Sequence, residues 1–338
     1  MTDTARQESL IDDALTALEV RLPAHHSWMG VAAGLPGEVV RLSDRTGVRR
    51  ALVACIAERL YDSFYTPGSA RASAPGDGGR GAGRLSGELA AANTSTGCRE
   101  PGWRVVADEG DLRVVRRGAL RLWVAADETP PGTGIGDVVA IRLPSDLPAY
   151  SPGFYTARGD RGFATEGPAV LDRLYFDLLP EGAVPFVREA TRRLNRTGLA
   201  FVAKVVDDPA GFDRRDAAVL AVERSERPRA LAAAEELRSA LEPFLEDGAP
   251  AMTLPLAPGL AFAEDPGDGA SFGAHRCHLL ADAAVTAAER GVQDRGARLD
   301  IARERFAEAG VTLETPYLGP SSGRDGEAAE PPRAAVPA

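Results

Sequence analysis

Apolar residues recur at helical spacing at the start of the chain, with Ile11, Ala14, Leu15 and Leu18 marking a helix within residues 8 to 22. Leu52, Cys55, Ile56 and Leu60 mark a second one, running into the aromatic cluster LYDSFY that ends at Tyr65. Downstream the period shortens. Trp103 to Ala126 gives three β-prone runs broken at Glu109-Gly110 and Arg117-Gly118, the pattern of an antiparallel meander. Further strands are predicted at DVVAIRLP, GFYTARG, RLYFDLLP, FVAKVV, AAVLAVE and the pair around MTLPLAPGLAFAE. Helices are predicted between and after them, at 182 to 196, 228 to 245, 271 to 290 and 295 to 309. Strands and helices do not alternate regularly, so the expected class is α+β: a helical N-terminal region, then a mostly antiparallel sheet flanked by helices.

Composition sets the boundaries between these regions. From Thr66 to Gly102 the chain is rich in Gly, Ser, Ala, Pro and Arg and cannot bury enough apolar surface to order itself, apart from a short helix near Glu88 to Ala92. The expected division is a helical region at 1–66, a flexible loop at 67–102, an α+β catalytic region at 103–318 and a disordered tail at 319–338.

The 338 residues are 44% hydrophobic, enough for a substantial core. Cys55, Cys98 and Cys277 form neither an even disulfide set nor a paired zinc pattern, which fits a reducing compartment. The start of the chain lacks the basic and apolar runs of a signal peptide and no stretch approaches a membrane span, so the expected location is cytoplasmic. A net charge of −10 argues against nucleic acid or an anionic membrane as the main partner.

The usual catalytic signatures are absent: no phosphate-binding G-x-x-x-x-G-K loop, no H-E-x-x-H, no G-x-S-x-G. The run GTGIGD near Gly132 leads into a strand and reads as a turn. Candidate chemistry begins with the basic residues. Of 39, one is lysine, Lys204, and the rest are arginine. Alternation in FVAKVV sets Val202, Lys204 and Val206 on one face, so Lys204 is expected to be partly buried between valines. Burial and nearby guanidinium groups would favour a neutral amine, and arginine cannot replace lysine as a base. The plainer alternative is a lysine that reaches solvent from a strand edge, or pairs with Asp207, Asp208 or Asp216.

A second candidate is the start of the helix in DGASFGAHRCHLLADA, where Ser271 can act as cap and His275 and Arg276 fall near the first turn. Helix starts attract anions, and an imidazole with a guanidinium can bind and protonate a phosphate. A capped surface helix with incidental polar residues fits equally well. His275, His278 and Asp282 share a helix side, but no further strong ligand at matching spacing supports a metal. The remaining candidates are Tyr155 and Arg158 in GFYTARGD, Arg173 in DRLYFDL, and Arg192, Arg193 and Arg196, of which Arg192 and Arg196 lie on a helix face opposite Leu194 and read as solvated.

The order LYDSFYTPG, GFYTARGD, RLYFDLLPEGA, RRLNRTGLAFVAKV, FDRRDAAVL and SFGAHRCHLLADA resembles the Hop-type effector-like lyase family over roughly Ile56 to Val285. That family comprises type III effectors of plant pathogens and proteins of actinobacterial clusters for thioamitides and class V lanthipeptides. In the peptide pathways its members are paired with an aminoglycoside-phosphotransferase-like kinase that phosphorylates serine or threonine of a precursor peptide. The resemblance implies elimination of that phosphate to leave dehydroalanine or dehydrobutyrine, with no metal or other cofactor. It implies Lys204 as base, His275 as general acid with Tyr155 competing for that role, Arg276, Arg215, Arg173 and Arg158 on the phosphate, and Asp216 orienting an arginine. Phe212 departs from the pattern, standing where a tyrosine is expected. Two other readings stay open: a non-catalytic scaffold that presents the peptide to its kinase, and a lyase acting on phosphorylated host proteins.

Overall fold

A computed structural model of the protein describes residues 3–67, 85–118, 120–147, 150–163 and 170–320. In chain order the elements begin with α1 (Asp3–Ala17), β1 (Leu18–Arg21), β2 (His25–Trp28), β3 (Val31–Gly34), α2 (Gly37–Leu42) and α3 (Arg45–Leu60). Next come α4 (Ser86–Ala92), β4 (Cys98–Asp108), β5 (Leu112–Arg117), β6 (Leu120–Ala125), β7 (Val138–Leu143), β8 (Phe154–Arg158) and β9 (Leu171–Phe176). The chain continues through α5 (Ala183–Thr197), β10 (Phe201–Val206), β11 (Ala218–Glu223) and α6 (Arg227–Leu241) to β12 (Leu254–Ala257), β13 (Leu260–Glu264), α7 (Phe272–Glu289) and α8 (Arg295–Glu308). The class is α+β, as the pattern predicts. Among the described residues no helix is long and apolar enough to cross a membrane.

The chain forms two compact units. The first comprises the described residues of Met1–Arg71, Asp213–Asp216 and Gly248–Ala338. Its core is helical. Val48, Leu52, Val53, Ile56 and Leu60 of α3 recur at three- and four-residue spacing and are buried, and α3 packs on α7, whose Cys277, Leu280, Ala281 and Ala284 follow the same rule. The α7 start is fixed by Ser271, whose hydroxyl accepts from the Ala274 N–H at 3.3 Å, and Asp44 caps α3 in the same way through Gly47. Gly273 lets α7 approach Tyr65, because a Cβ there would lie 2.2 Å from the ring.

The helical start departs from expectation after Ala17. Leu18 opens a strand instead of continuing the helix, and β1, β2 and β3 form a small antiparallel meander that contains His25 and His26. Pro23 cannot continue a helix, and Met29 and Gly30, both at positive φ (49° and 80°), make the two-residue turn that pairs Trp28 with Val31.

The second unit comprises the described residues of Ala72–Phe212 and Ala217–Asp247. Strands β6, β5, β4 and β7 lie side by side around Trp103, Val105, Val115 and Ile141, with Gly110 and Gly118 at positive φ in the two turns that the sequence marks. The GTGIGD run is a turn leading to β7, with the Gly134 N–H bonded to the Asp137 carboxylate at 2.9 Å. The first turn of helix in the low-complexity stretch is α4, and β4 starts at Cys98, inside that stretch. Residues 68–84 of the expected loop and 321–338 of the expected tail lie outside the described residues.

Strands β9, β11, β10 and β8 form the other sheet of this unit, every neighbouring pair antiparallel and without register shifts. One face is covered by helices. Phe176 of β9 packs on Phe186 of α5 with ring centroids 5.4 Å apart. Asp172 of the same strand accepts from Arg227 of α6 at 2.6 and 2.8 Å. Phe201, Val205 and Leu220 of this face are fully buried.

Candidate functional site

Register decides which side chains can meet, because residues directly opposite in an antiparallel pair share a face and neighbours along a strand do not. Lys204 stands between Thr156 of β8 and Val219 of β11, and Val219 in turn opposes Tyr175 of β9. The row two residues along is Arg158, Val202, Ala221 and Arg173. Lys204, Arg158, Arg173, Thr156 and Tyr175 therefore occupy the face opposite the helices. Val202, Ala221 and Val219 there are 7–8% exposed, against 0% for Phe201, Val205 and Leu220 behind them.

Lys204 is half-buried. Its amine lies 3.4 Å from the Ser151 hydroxyl and 5.6 Å from the centroid of the Tyr150 ring. Both belong to the chain leading into β8, where Ser151 bridges to Phe154. Asp207 and Asp208 follow β10 directly. The Asp207 carbonyl accepts the Leu85 N–H at 3.0 Å, and the Asp208 carboxylate accepts from the Ala210 N–H at 3.0 Å.

Arg158 is diagonal to Lys204, a separation of roughly 7–8 Å between backbones. Glu100, itself 4% exposed, holds Arg158 at 3.2 Å and Arg117 at 2.8 Å, so one buried carboxylate fixes two guanidinium groups. Arg173 lies at the far end of the same row, roughly 14 Å from Arg158 across three strand spacings. A single phosphate is reached from both only by extended side chains.

Tyr155 is not on this face. It opposes Val205, and its buried hydroxyl accepts from Asn93 Nδ2 at 3.1 Å on the helix-covered side. Asn93 is followed by Thr94, whose N–H is bonded to Thr191 of α5 at 3.1 Å. Burial pushes the phenol pKa up, with the Asn93 bond acting the other way. The expected competition between Tyr155 and His275 as acid beside Lys204 therefore loses Tyr155, since successive strand residues point to opposite faces. The same alternation links Arg158 to Thr156, a residue that the sequence reading passes over although it sits in the same GFYTARGD string.

In the first unit, Asp216 is 5% exposed and accepts from Arg214 Nη2 at 2.9 Å, while Tyr61 donates to it at 3.3 Å. The arginine that Asp216 orients is thus Arg214. Arg215 instead donates to the Pro67 carbonyl at 2.8 Å.

Arg276 departs furthest from its expected role. Its side chain is completely buried, donating to the carbonyls of Pro316 at 2.7 Å and Leu318 at 2.8 Å, with the guanidinium 4.8 Å from the Phe272 ring centroid. The third nitrogen, Nη1, donates to His275 Nδ1 at 2.6 Å. These bonds, with the Gly319 N–H on Glu264 at 2.7 Å, pin the chain after α8 to the core. Arg276 is a brace for that segment and not an exposed anion ligand.

His275 accepts from Arg276 on Nδ1, which leaves its proton on Nε2, 3.8 Å from Asp268. Burial first, and the adjacent Arg276 charge second, lower its pKa to about 4. The imidazole is neutral at pH 7, so it lacks the charge expected of a general acid. The folded pKa lies below the ordinary value of about 6.5, so the unfolded chain binds the proton more tightly. Stability is then expected to fall as pH drops from about 6.5 towards 4, and a His275→Gln variant to lose less over that window. Urea midpoints at pH 7 and pH 4.5 for both proteins measure this. Equal losses would show that other groups dominate.

Among the described residues no cluster of three or more His, Cys, Asp or Glu is placed to hold a metal, and Asp282 of the weighed His275–His278–Asp282 set is held by Arg49 at 2.7 Å.

The HopA1 effector protein family matches residues 145–318, just over half of the chain, and the chain belongs to that family. Among solved structures it is similar to the effector protein from Pseudomonas syringae pv. tomato strain DC3000. The identity is 21% and the TM-score 0.39, over 50% of this chain and 65% of that one. It is also similar to the effector from Pseudomonas syringae pv. syringae strain 61, at 19% identity and TM-score 0.38, over 50% of this chain and 66% of that one. The chain thus spans less than two thirds of either effector. No curated protein matches it.

Proposed function

We propose that this protein is a lyase that removes phosphate from phosphoserine or phosphothreonine of a ribosomally made precursor peptide by β-elimination, with Lys204 as the base. The observation that carries the reading is the position of the chain's one lysine, on the sheet face away from the helices and in the row next to Arg158 and Arg173.

The Cα proton of a phosphoserine residue is weakly acidic, so its removal needs a neutral amine held in place and positive charge for the departing dianion. Lys204 takes that proton, the C–H electrons form the Cα–Cβ double bond, and phosphate leaves with the electrons of the Cβ–O bond. Arg158, fixed by Glu100, is the nearer source of positive charge, and Arg173 extends it along the row. The phosphorylated peptide is supplied by a separate kinase of the aminoglycoside-phosphotransferase type. The cytoplasm is the compartment in which such a peptide is made and phosphorylated.

The test uses the purified protein with a synthetic phosphoserine peptide in the absence of metal and nucleotide, following free phosphate and peptide mass. Release of phosphate with loss of one phosphoric acid unit is expected. A protein that binds the phosphorylated precursor but releases nothing, even beside the kinase, would instead be a presenting scaffold.

A further inference from the structure

Strand alternation gives the sheet of β6, β5, β4 and β7 two unlike faces. One carries Trp103, Val105, Val115 and Ile141 and is buried. The other carries arginines at directly opposed positions. Arg116 of β5 stands between Arg104 of β4 and Arg121 of β6, and Arg99 of β4 stands opposite Arg142 of β7. All five are exposed. Alternation places no Asp or Glu on that face, although acidic residues outnumber basic ones by 49 to 39 in the chain.

Arg113 and Arg117, which alternate to the other face of β5, are paired with Asp108 at 3.5 Å and Glu100 at 2.8 Å. Among the described residues none of the five pairs with a carboxylate. Arg104 donates to the Gly136 carbonyl at 2.6 Å, Arg99 to that of Ala140 at 3.0 Å and Arg142 to that of Thr96 at 3.4 Å. Like charges directly opposite each other weaken an antiparallel sheet, and this face holds three such pairs. Charge on an outer strand guards a sheet edge, which accounts for Arg121 and Arg142 but not for three arginines on inner strands. An anionic partner accounts for all five.

Two further features say what kind of anion fits. Trp123, two residues after Arg121 and on the same face, is 61% exposed. Strand β6 is outermost in its sheet, and its outer edge pairs with nothing among the described residues. We propose that this face docks an acidic, extended segment of another polypeptide as an added strand beside β6. The segment's main chain pairs with the β6 edge. One of its carboxylates lies opposite Arg121 and within reach of Arg116, and an apolar side chain two residues along covers Trp123. A nucleic acid strand would suit the arginines and the tryptophan but leave the edge unpaired. The inference does not depend on the lyase reading.

The probe is a fluorescein-labelled peptide of alternating glutamate and valine, without serine or threonine, titrated with the purified protein and followed by anisotropy. Saturable binding that weakens as salt is raised is expected, with slower amide exchange in β6 in the complex. Replacing glutamate by glutamine in the peptide is expected to weaken binding by about tenfold or more, as are Arg116→Glu and Trp123→Ser in the protein. Arg116→Glu sets a carboxylate between Arg104 and Arg121, so its urea midpoint should equal or exceed the parent's. Trp123→Ser, at an exposed site, decides the matter if the first variant does not fold. The proposal is overturned by an absence of saturable binding, by equal affinity for the glutamine peptide, by variants that bind like the parent, or by unchanged exchange in β6. Tighter binding of an oligothymidylate of equal length, lost in Arg116→Glu, would also overturn it and make the face a nucleic-acid surface.

Discussion

Lys204→Arg is expected to lower phosphate elimination from a phosphoserine peptide by roughly 10²–10⁴-fold, the range associated with a positioned base. Arginine keeps the length and the positive charge of lysine but holds its proton at any working pH. If Lys204 served only as a cation for the phosphate, arginine would do as well or better, since its forked donors suit phosphate. Stability should change little, because Lys204 is half-buried and a guanidinium can follow the same path towards Ser151. Measured rates of phosphate release for both proteins decide the matter. Undiminished release in the arginine variant would remove Lys204 from the role of base.

Arg276→Ala is expected to destabilise the first unit by about 3–5 kcal/mol, the scale for breaking a buried, bonded charge. Three losses add there. The carbonyls of Pro316 and Leu318 lose their donors, His275 loses the bond on Nδ1, and the space beside Phe272 is left unfilled. Urea unfolding at pH 7 measures this. A change below about 1 kcal/mol would mean that the segment after α8 holds without its brace.

These two basic residues show how far residue type alone can mislead. Both sit in strings that resemble the family, and both suit phosphate chemistry. Arg276 follows a capped helix start, which reads from sequence as an anion site, and Ser271 does cap that helix. Yet the arginine points inward to carbonyls contributed from forty or more residues away in sequence, a distance no local pattern encodes. His275 follows from the same arrangement, since its burial and the adjacent Arg276 charge make it neutral. The strand candidates were more legible. Alternation in FVAKVV and in FYTAR already separates Lys204 from Val205 and Arg158 from Tyr155. What it leaves out is pairing, so Thr156 becomes visible as the neighbour of Lys204 only when β8 is laid beside β10.

By itself the sequence determined the α+β class, the helices α5 to α8, the strands from β4 onward, the turns at Gly110 and Gly118, and the single lysine with valines on either side of it on its face. Each follows from periods of two and 3.6 residues, from glycine's tolerance of positive φ, or from counting. Tertiary structure alone decided that β9, β11, β10 and β8 lie in that order, that Glu100 anchors Arg158, and that Asp216 serves Arg214. It also opened β1 at Leu18, inside the 8–22 stretch that reads as helical on paper, and made residues 18–34 a meander. The reason is common to all of these: side-chain period is a local property, whereas the partner of a strand or a buried charge is chosen by which distant segments bury surface together.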